Sequence, residues 1–254
     1  MSLHVKTIGS GEPLVMLHGW GMHGGIWNGT VASLAENFEV HSVDLPGHGA
    51  STLSDSFSLD SVVDLLDARF EQPVCVMGWS LGGIVAQHWA AREPEKINRM
   101  VLVSTTPSFA QHDDWVSGMP QEMLEQFAAE LEKNFAATLR RFLALQVRGS
   151  EGERELLSTL REKLFSRGEP HMDALRGGLD ILRYADLRST LLTIKQPALV
   201  IAGQRDRLTP PEASYYLAES MPNARMTEIA SAAHAPFLSH PDMFIDHVKS
   251  FLYE

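Results

Sequence analysis

Cysteine is nearly absent: Cys75 is the one thiol in 254 residues. A lone cysteine forms no internal disulfide and no multi-cysteine metal site. Long hydrophobic runs are missing too, and no stretch approaches the apolar length that spans a bilayer. Basic charge is scarce, with 21 Lys and Arg against 32 Asp and Glu and a formal net charge of −11. That balance disfavours nucleic acid and anionic membrane surfaces as partners. The first residues, Met1-Ser2-Leu3-His4-Val5-Lys6, lack the charged head and apolar run of a signal peptide, and there is no internal repeat or low-complexity tract. These absences describe a soluble, cytoplasmic protein.

What is present is ordinary globular composition, 44% hydrophobic and 21% charged, enough to bury a core. The length suits one α/β domain with an insertion as well as two domains. In the first half, short apolar runs alternate with helical patterns. Leu14-Val15-Met16-Leu17, Glu39-Val40-His41-Ser42-Val43, Val74-Cys75-Val76-Met77 and Met100-Val101-Leu102-Val103 read as strands. Between them, Trp27 to Asn37, Leu59 to Phe70 and Gly83 to Arg92 read as helices. Apolar runs without alternation, separated by helices, predict a mostly parallel sheet covered on both faces. From Pro120 to Arg167 the chain is charged and rich in Leu, Glu, Ala and Arg at helical spacing, with no strand run. Strands resume at Ala198-Leu199-Val200-Ile201-Ala202 and Ala224 to Ile229, and an amphipathic helix closes the chain from Pro241 to Leu252. The expectation is an α/β core over residues 1–107 and 187–254, split by an all-helical cap over 108–186.

Gly78-Trp79-Ser80-Leu81-Gly82 matches G-x-S-x-G between a strand run and a helix, the setting of a nucleophile elbow. The glycines let strand and helix approach around a strained serine and leave its Oγ exposed. A serine hydroxyl needs a base, and the base needs an orienting acid. Asp206 follows the strand run Ala198 to Ala202 and His234 the run Ala224 to Ile229, in the order Ser, Asp, His, each at a C-terminal strand end. Either alone reads as a surface or structural residue, whereas the ordered set reads as a catalytic triad. A tetrahedral intermediate also needs two N–H donors. Leu81, directly after the serine, and Trp20 in His18-Gly19-Trp20-Gly21 are the candidates. His18 is better read as a buried histidine that holds this loop than as a second base. Asp44, which precedes Ser80 in a turn-rich loop, reads as structural, Cys75 as a small buried hydrophobe, and His240 and His247 as exposed. No metal-ligand spacing and no G-x-G-x-x-G after a strand occurs, so neither a metal nor a dinucleotide is expected, and nothing implies any other cofactor.

His18-Gly19-Trp20-Gly21, Asp44-Leu45-Pro46-Gly47-His48-Gly49, Gly78 to Gly83 and Ala232-Ala233-His234-Ala235-Pro236-Phe237 together resemble the α/β-hydrolase superfamily over the whole chain. Trp20 and Trp79 about the site, Arg141-Phe142-Leu143-Ala144-Leu145-Gln146, Gly177 to Leu182, and Ala232 to Pro241 narrow the resemblance. They are similar to the pimeloyl-[acyl-carrier protein] methyl ester esterases of biotin synthesis.

The resemblance implies hydrolysis of that methyl ester to methanol and a free carboxylate. It makes Ser80 the nucleophile, His234 the base and acid, Asp206 the orienter, and Trp20 with Leu81 the oxyanion hole. It implies that Phe142, Leu143, Ala144, Leu145 and Gln146 line an acyl channel, and that cap arginines dock the acidic carrier protein. Arg141 stands at a matching place, with Arg140, Arg148 and Arg154 as further candidates, while Ala137 occupies a position where the family carries an arginine. Residues 140–167 hold seven basic side chains against four acids, a local +3 in a chain of −11. A monomer is expected. The same triad also serves a broad short-chain carboxylesterase or a carbon–carbon bond hydrolase, and a non-catalytic receptor on the same fold is a further alternative.

Overall fold

A computed structural model describes residues 3–53 and 56–254, so Met1 and Ser2 of the N-terminal segment lie outside the described residues. Among the described residues seven strands form one sheet: β1 Val5–Ile8, β2 Glu12–Leu17, β3 Phe38–Val43, β4 Val74–Trp79, β5 Ile97–Val103, β6 Ala198–Gly203 and β7 Ala224–Ile229. Their order is β1-β3-β2-β4-β5-β6-β7, parallel throughout except for β1, which runs antiparallel to β3. Every residue of β4 and β6 is buried, as expected for strands covered on both faces. The sequence reading misses β1. It has four residues, three of them exposed, and an edge strand with so little buried surface leaves no apolar run to find.

Ten helices accompany the sheet among the described residues: α1 Asn28–Leu34, α2 Leu59–Arg69, α3 Leu81–Arg92, α4 Gln121–Lys133, α5 Phe135–Val147, α6 Glu153–Leu164, α7 Met172–Tyr184, α8 Pro211–Ser220, α9 Pro236–Ser239 and α10 Pro241–Leu252. α1 packs on α10 and α2 on α3. The start of α2 is set by a reciprocal cap, in which Ser58 Oγ accepts from Ser61 N and Ser61 Oγ accepts from Ser58 N. α4 to α7 lie between β5 and β6, and no strand interrupts them. The two ends of this insertion meet: Ser108 bridges Asp186, and the Leu187 N–H donates to the Pro107 carbonyl at 2.8 Å. Residues 108–120 enter it as bridged turns, with Ala110 against Met119 and the Trp115 indole donating to the Ser108 carbonyl. No helix among the described residues is long and apolar enough to cross a membrane.

Asp44 joins the insertion to the sheet. Its carboxylate is fully buried and accepts the N–H of Gly24 at 2.7 Å and of Ala50 at 3.0 Å. Arg167, from the loop after α6, donates to the same group at 3.0 Å. A buried carboxylate is tolerable only when paired and hydrogen-bonded, and Asp44 is both. Removing the cation with Arg167→Met should therefore cost roughly 2–3 kcal/mol of stability, read as a lower urea midpoint. An unchanged midpoint would show that the two backbone donors suffice.

Candidate active site

Ser80 sits between β4 and α3 with φ 56° and ψ −119°, a conformation that side chains other than glycine rarely adopt. Hydrogen bonds on both sides hold it there. Its N–H donates to Val103 at 3.0 Å, and its carbonyl accepts from Gly83 N at 2.9 Å, Ile84 N at 3.2 Å and Thr105 Oγ1 at 2.8 Å. The surroundings thus over-determine a strained backbone, as at many functional serines. Gly82 permits the geometry: a Cβ there would lie 2.5 Å from the Leu17 carbonyl, so only glycine seats the start of α3 against the end of β2.

Asp206 and His234 stand on the turns after β6 and β7, and the two turns touch. A Cβ on Gly203 would run into the Ala233 carbonyl. His234 Nδ1 lies 2.8 Å from Asp206 Oδ2, with both side chains fully buried. The same carboxylate accepts from Leu208 N at 2.8 Å, Thr209 N at 3.1 Å and Thr209 Oγ1 at 2.7 Å. The His234 carbonyl accepts from the Trp79 indole at 2.7 Å, so the residue before Ser80 is bonded directly to the histidine. Among the described residues His234 Nε2 has no hydrogen-bond partner. One ring nitrogen is therefore occupied by a carboxylate, and the other is bare.

The loop after β2 closes the site. A Cβ on Gly19 would lie 3.3 Å from Ser80 Cβ, which puts this turn directly over the serine. Leu81 opens α3, so its N–H has no partner within the helix. The Trp20 indole donates to Leu175 of α7 at 2.9 Å, and its ring stands edge-on to Phe142 at 5.0 Å. His18 is buried, as read. It accepts the Leu45 N–H on Nε2 at 2.9 Å, so its own proton is on Nδ1 and donates to the Gly19 carbonyl at 2.8 Å. Ser80 as a residue is 3% exposed.

The α5 residues divide. Phe142, Leu143 and Gln146 are buried, whereas Ala144 and Leu145 are half-buried. Gln146 touches the site through its backbone, its carbonyl accepting the His234 N–H at 3.0 Å. The arginines also differ among themselves. Arg140, Arg148 and Arg154 are exposed. Arg141 is bonded to Glu130 at 2.6 Å and lies over the Phe127 ring. Arg167 is turned inward to Asp44. His240 and His247 are half-buried rather than exposed, His240 because it packs at the foot of α10 beside Ser239. Cys75 is buried, and burial pushes its thiol up to about 12. The residue that sequence reasoning missed is Thr209. The available signal was a hydroxyl three residues after an acid, the spacing of a local side-chain turn.

A family model for the alpha/beta hydrolase fold matches residues 12–241. A pimeloyl-[acyl-carrier protein] methyl ester esterase from Chromobacterium violaceum is 46% identical, over 96% of this chain and 96% of that protein. Proteins of the same name from Nitrosomonas europaea (44%, over 96% and 97%) and Xanthomonas axonopodis pv. citri (42%, over 98% of both) are also similar. Among solved structures, an esterase from Exiguobacterium antarcticum superposes with a TM-score of 0.89 at 21% identity, over 99% of this chain and 96% of that one. The chain belongs to the α/β-hydrolase fold family and, within it, to the family that those three relatives represent.

His18 and His48 lie 5.2 Å apart between ring centroids. Burial holds both neutral, lowering His18 well below the usual imidazole range and His48 to about 4. An unfolded histidine takes its proton near pH 6.5, so the unfolded chain binds protons that the folded one refuses. The stability that His48 contributes is thus complete above about pH 6.5 and is lost as pH falls toward about 4. The urea midpoint should decline across that window. His48→Asn, which retains a donor for the Pro46 carbonyl, should flatten the decline, and an identical slope in the variant would remove His48 from the account.

Proposed function

We propose that Ser80 is the nucleophile of a carboxylic ester hydrolase that removes the methyl group from pimeloyl-[acyl-carrier protein] methyl ester in biotin synthesis. The observation that carries the reading is the buried imidazole of His234, bonded to Asp206 on Nδ1 and bare on Nε2. A base so held takes a serine proton and later returns it. In the first step Ser80 Oγ attacks the ester carbonyl while His234 Nε2 takes its proton. The oxyanion forms opposite the N–H groups of Leu81 and Trp20, which are fixed before the reaction begins. Collapse breaks the bond to methoxide, which leaves as methanol with the proton from His234. Water then attacks the acyl-serine, His234 again acting as base, and the free carboxylate departs. The relatives' names support the substrate, and the strained Ser80 together with the buried Asp206–His234 pair supports turnover over a receptor role.

The segment 108–186 serves as the cap in this reading, with Phe142 to Gln146 along the acyl channel. Arg140, Arg148 and Arg154 supply the docking charge for an acidic carrier. Steering by such a local patch works despite the overall like charge, because the field near the patch decides the encounter. Arg141 joins them only after release from Glu130. We place the enzyme in the cytoplasm, acting as a monomer.

Methanol release from the carrier-bound ester, measured beside hydrolysis of a short-chain nitrophenyl ester, tests the assignment. Strong preference for the carrier substrate is expected. Ser80→Ala should abolish both activities, and Asp206→Asn should lower kcat by about 10³–10⁴. Turnover of the simple ester alone would leave a general esterase, and turnover by Ser80→Ala would remove the triad. Docking has its own test. KM for the carrier substrate should rise with salt while KM for the nitrophenyl ester stays level, and Glu130→Gln, by freeing Arg141, should lower the former. Equal salt response of the two substrates would exclude charge-guided docking.

A further inference from the structure

We propose that Thr209 is a positioning residue, clamping the Asp206 oxygen that holds the catalytic imidazole. The inference rests on reading Ser80, Asp206 and His234 as a triad. Four donors converge on the Asp206 carboxylate. Two are backbone N–H groups on Oδ1, from Leu208 at 2.8 Å and Thr209 at 3.1 Å. The other two meet on Oδ2, the Thr209 hydroxyl at 2.7 Å and His234 Nδ1 at 2.8 Å. Thr209 Oγ1 is itself 3.3 Å from Nδ1, so the three atoms form a triangle whose two short sides end on Oδ2.

Proton counting fixes the direction of each bond. If Nε2 is to accept the serine proton, the ring proton must sit on Nδ1, where it donates to Oδ2. The threonine hydroxyl has one proton, and it too goes to Oδ2, because a second hydrogen aimed at Nδ1–H would be repelled. Its lone pairs then face Nδ1–H. The opposite tautomer, with a bare Nδ1, would confront the lone pairs of Oδ2 at close range and lose this arrangement.

The hydroxyl also stops a motion. With only the two backbone donors, the carboxylate is held along its Oδ1 edge and free to pivot about it. A pivot would carry the imidazole with it, in a kind of site where misplacement by about 1 Å costs on the order of a hundredfold in rate. Thr209 is well placed to prevent this. It is buried, its own N–H bonds the same carboxylate, and its branched Cβ restricts the rotamer.

The test uses Thr209→Val, which keeps the shape and removes the hydroxyl, and Thr209→Ser, which keeps the hydroxyl. Two rates are read on folded protein: kcat for a nitrophenyl ester, and covalent modification of Ser80 by a fluorophosphonate, which reports activation of the serine whatever the natural substrate is. Thr209→Val should lower both rates about tenfold with KM unchanged within about twofold, and Thr209→Ser should restore them. Should the valine variant fail to fold, Thr209→Cys, with its weak S–H donor, should fall between wild type and that tenfold loss. Labelling of Thr209→Val at the wild-type rate, or a loss that serine does not recover, would overturn the proposal. Ester turnover by Ser80→Ala would overturn the triad beneath it, and the two failures are distinct.

Discussion

A hydrogen bond between two buried side chains, Asp206 to His234 at 2.8 Å, is the constraint around which the rest of this structure is arranged. A carboxylate taken wholly out of water is costly unless donors surround it. The chain supplies them from a turn it has already built for another purpose, the exit from β6. The histidine comes from the next strand in the sheet, and the glycine at the end of β6 lets the two turns meet. The sheet order matters for the same reason. β4, β5, β6 and β7 are neighbours in that sequence, so serine, acid and base arrive along one rim, and the Ser80 N–H is anchored on β5 while the Trp79 indole reaches the His234 carbonyl.

The parts of this arrangement that depend on short-range chemistry are readable in the sequence. The elbow needs glycines at fixed spacing around a serine, and the acid and base must follow strand ends, so Ser80, Asp206 and His234 declare themselves by type and order. The apolar runs of β4 and β6 are equally plain, because strands buried on both faces have no polar alternation to obscure them, whereas β3, Phe38-Glu39-Val40-His41-Ser42-Val43, carries polar side chains even where it is buried. Illegible were the contacts made across long separations by residues with several possible partners. Glu130 and Arg141 are eleven residues apart on different helices, and Arg167 lies 123 residues from Asp44. A count of charges from 140 to 167 treats all seven cations as surface charge, whereas Arg167 is folded inward and Arg141 is engaged. Thr209 escaped notice for the opposite reason. It is local to Asp206, but its hydroxyl gains meaning only once His234 is beside it.

The insertion is joined to the chemistry as well as covering it. The last turn of α5 accepts the backbone N–H of His234, the Glu151 N–H donates to Ser231, and Arg205, next to Asp206, donates to the Gly149 carbonyl at 3.0 Å. The corner between α5 and α6 is thus bonded to the turns that carry Asp206 and His234. At the far end of α6, His23 bonds the Lys163 carbonyl at 2.8 Å, Arg167 reaches Asp44, and the His171 N–H donates to the Gly47 carbonyl. Helix α7 is held by the Trp20 indole. Any change in the insertion that shifts the last turn of α5 therefore reaches His234 through the Gln146 carbonyl that its N–H bonds.

That same network limits how the site can open. Ser80 is 3% exposed as a residue, and enzymes with covered sites commonly gate entry by moving the elements above them. The α5–α6 corner, the loop after α6 and α7 are each hydrogen-bonded to the sheet or its loops. Helix α4 is held differently. Its apolar face, Leu124, Phe127 and Leu131, is buried, with Phe127 edge-on to Phe142. Its polar ties among the described residues are the ion pairs Glu130–Arg141 and Glu132–Arg176, both solvent-exposed. Exposed pairs of this kind contribute about 0–1 kcal/mol and weaken with salt. Among the described residues α4 is thus held by these exposed pairs and by its buried apolar face, Phe127 against Phe142, which in turn meets Trp20.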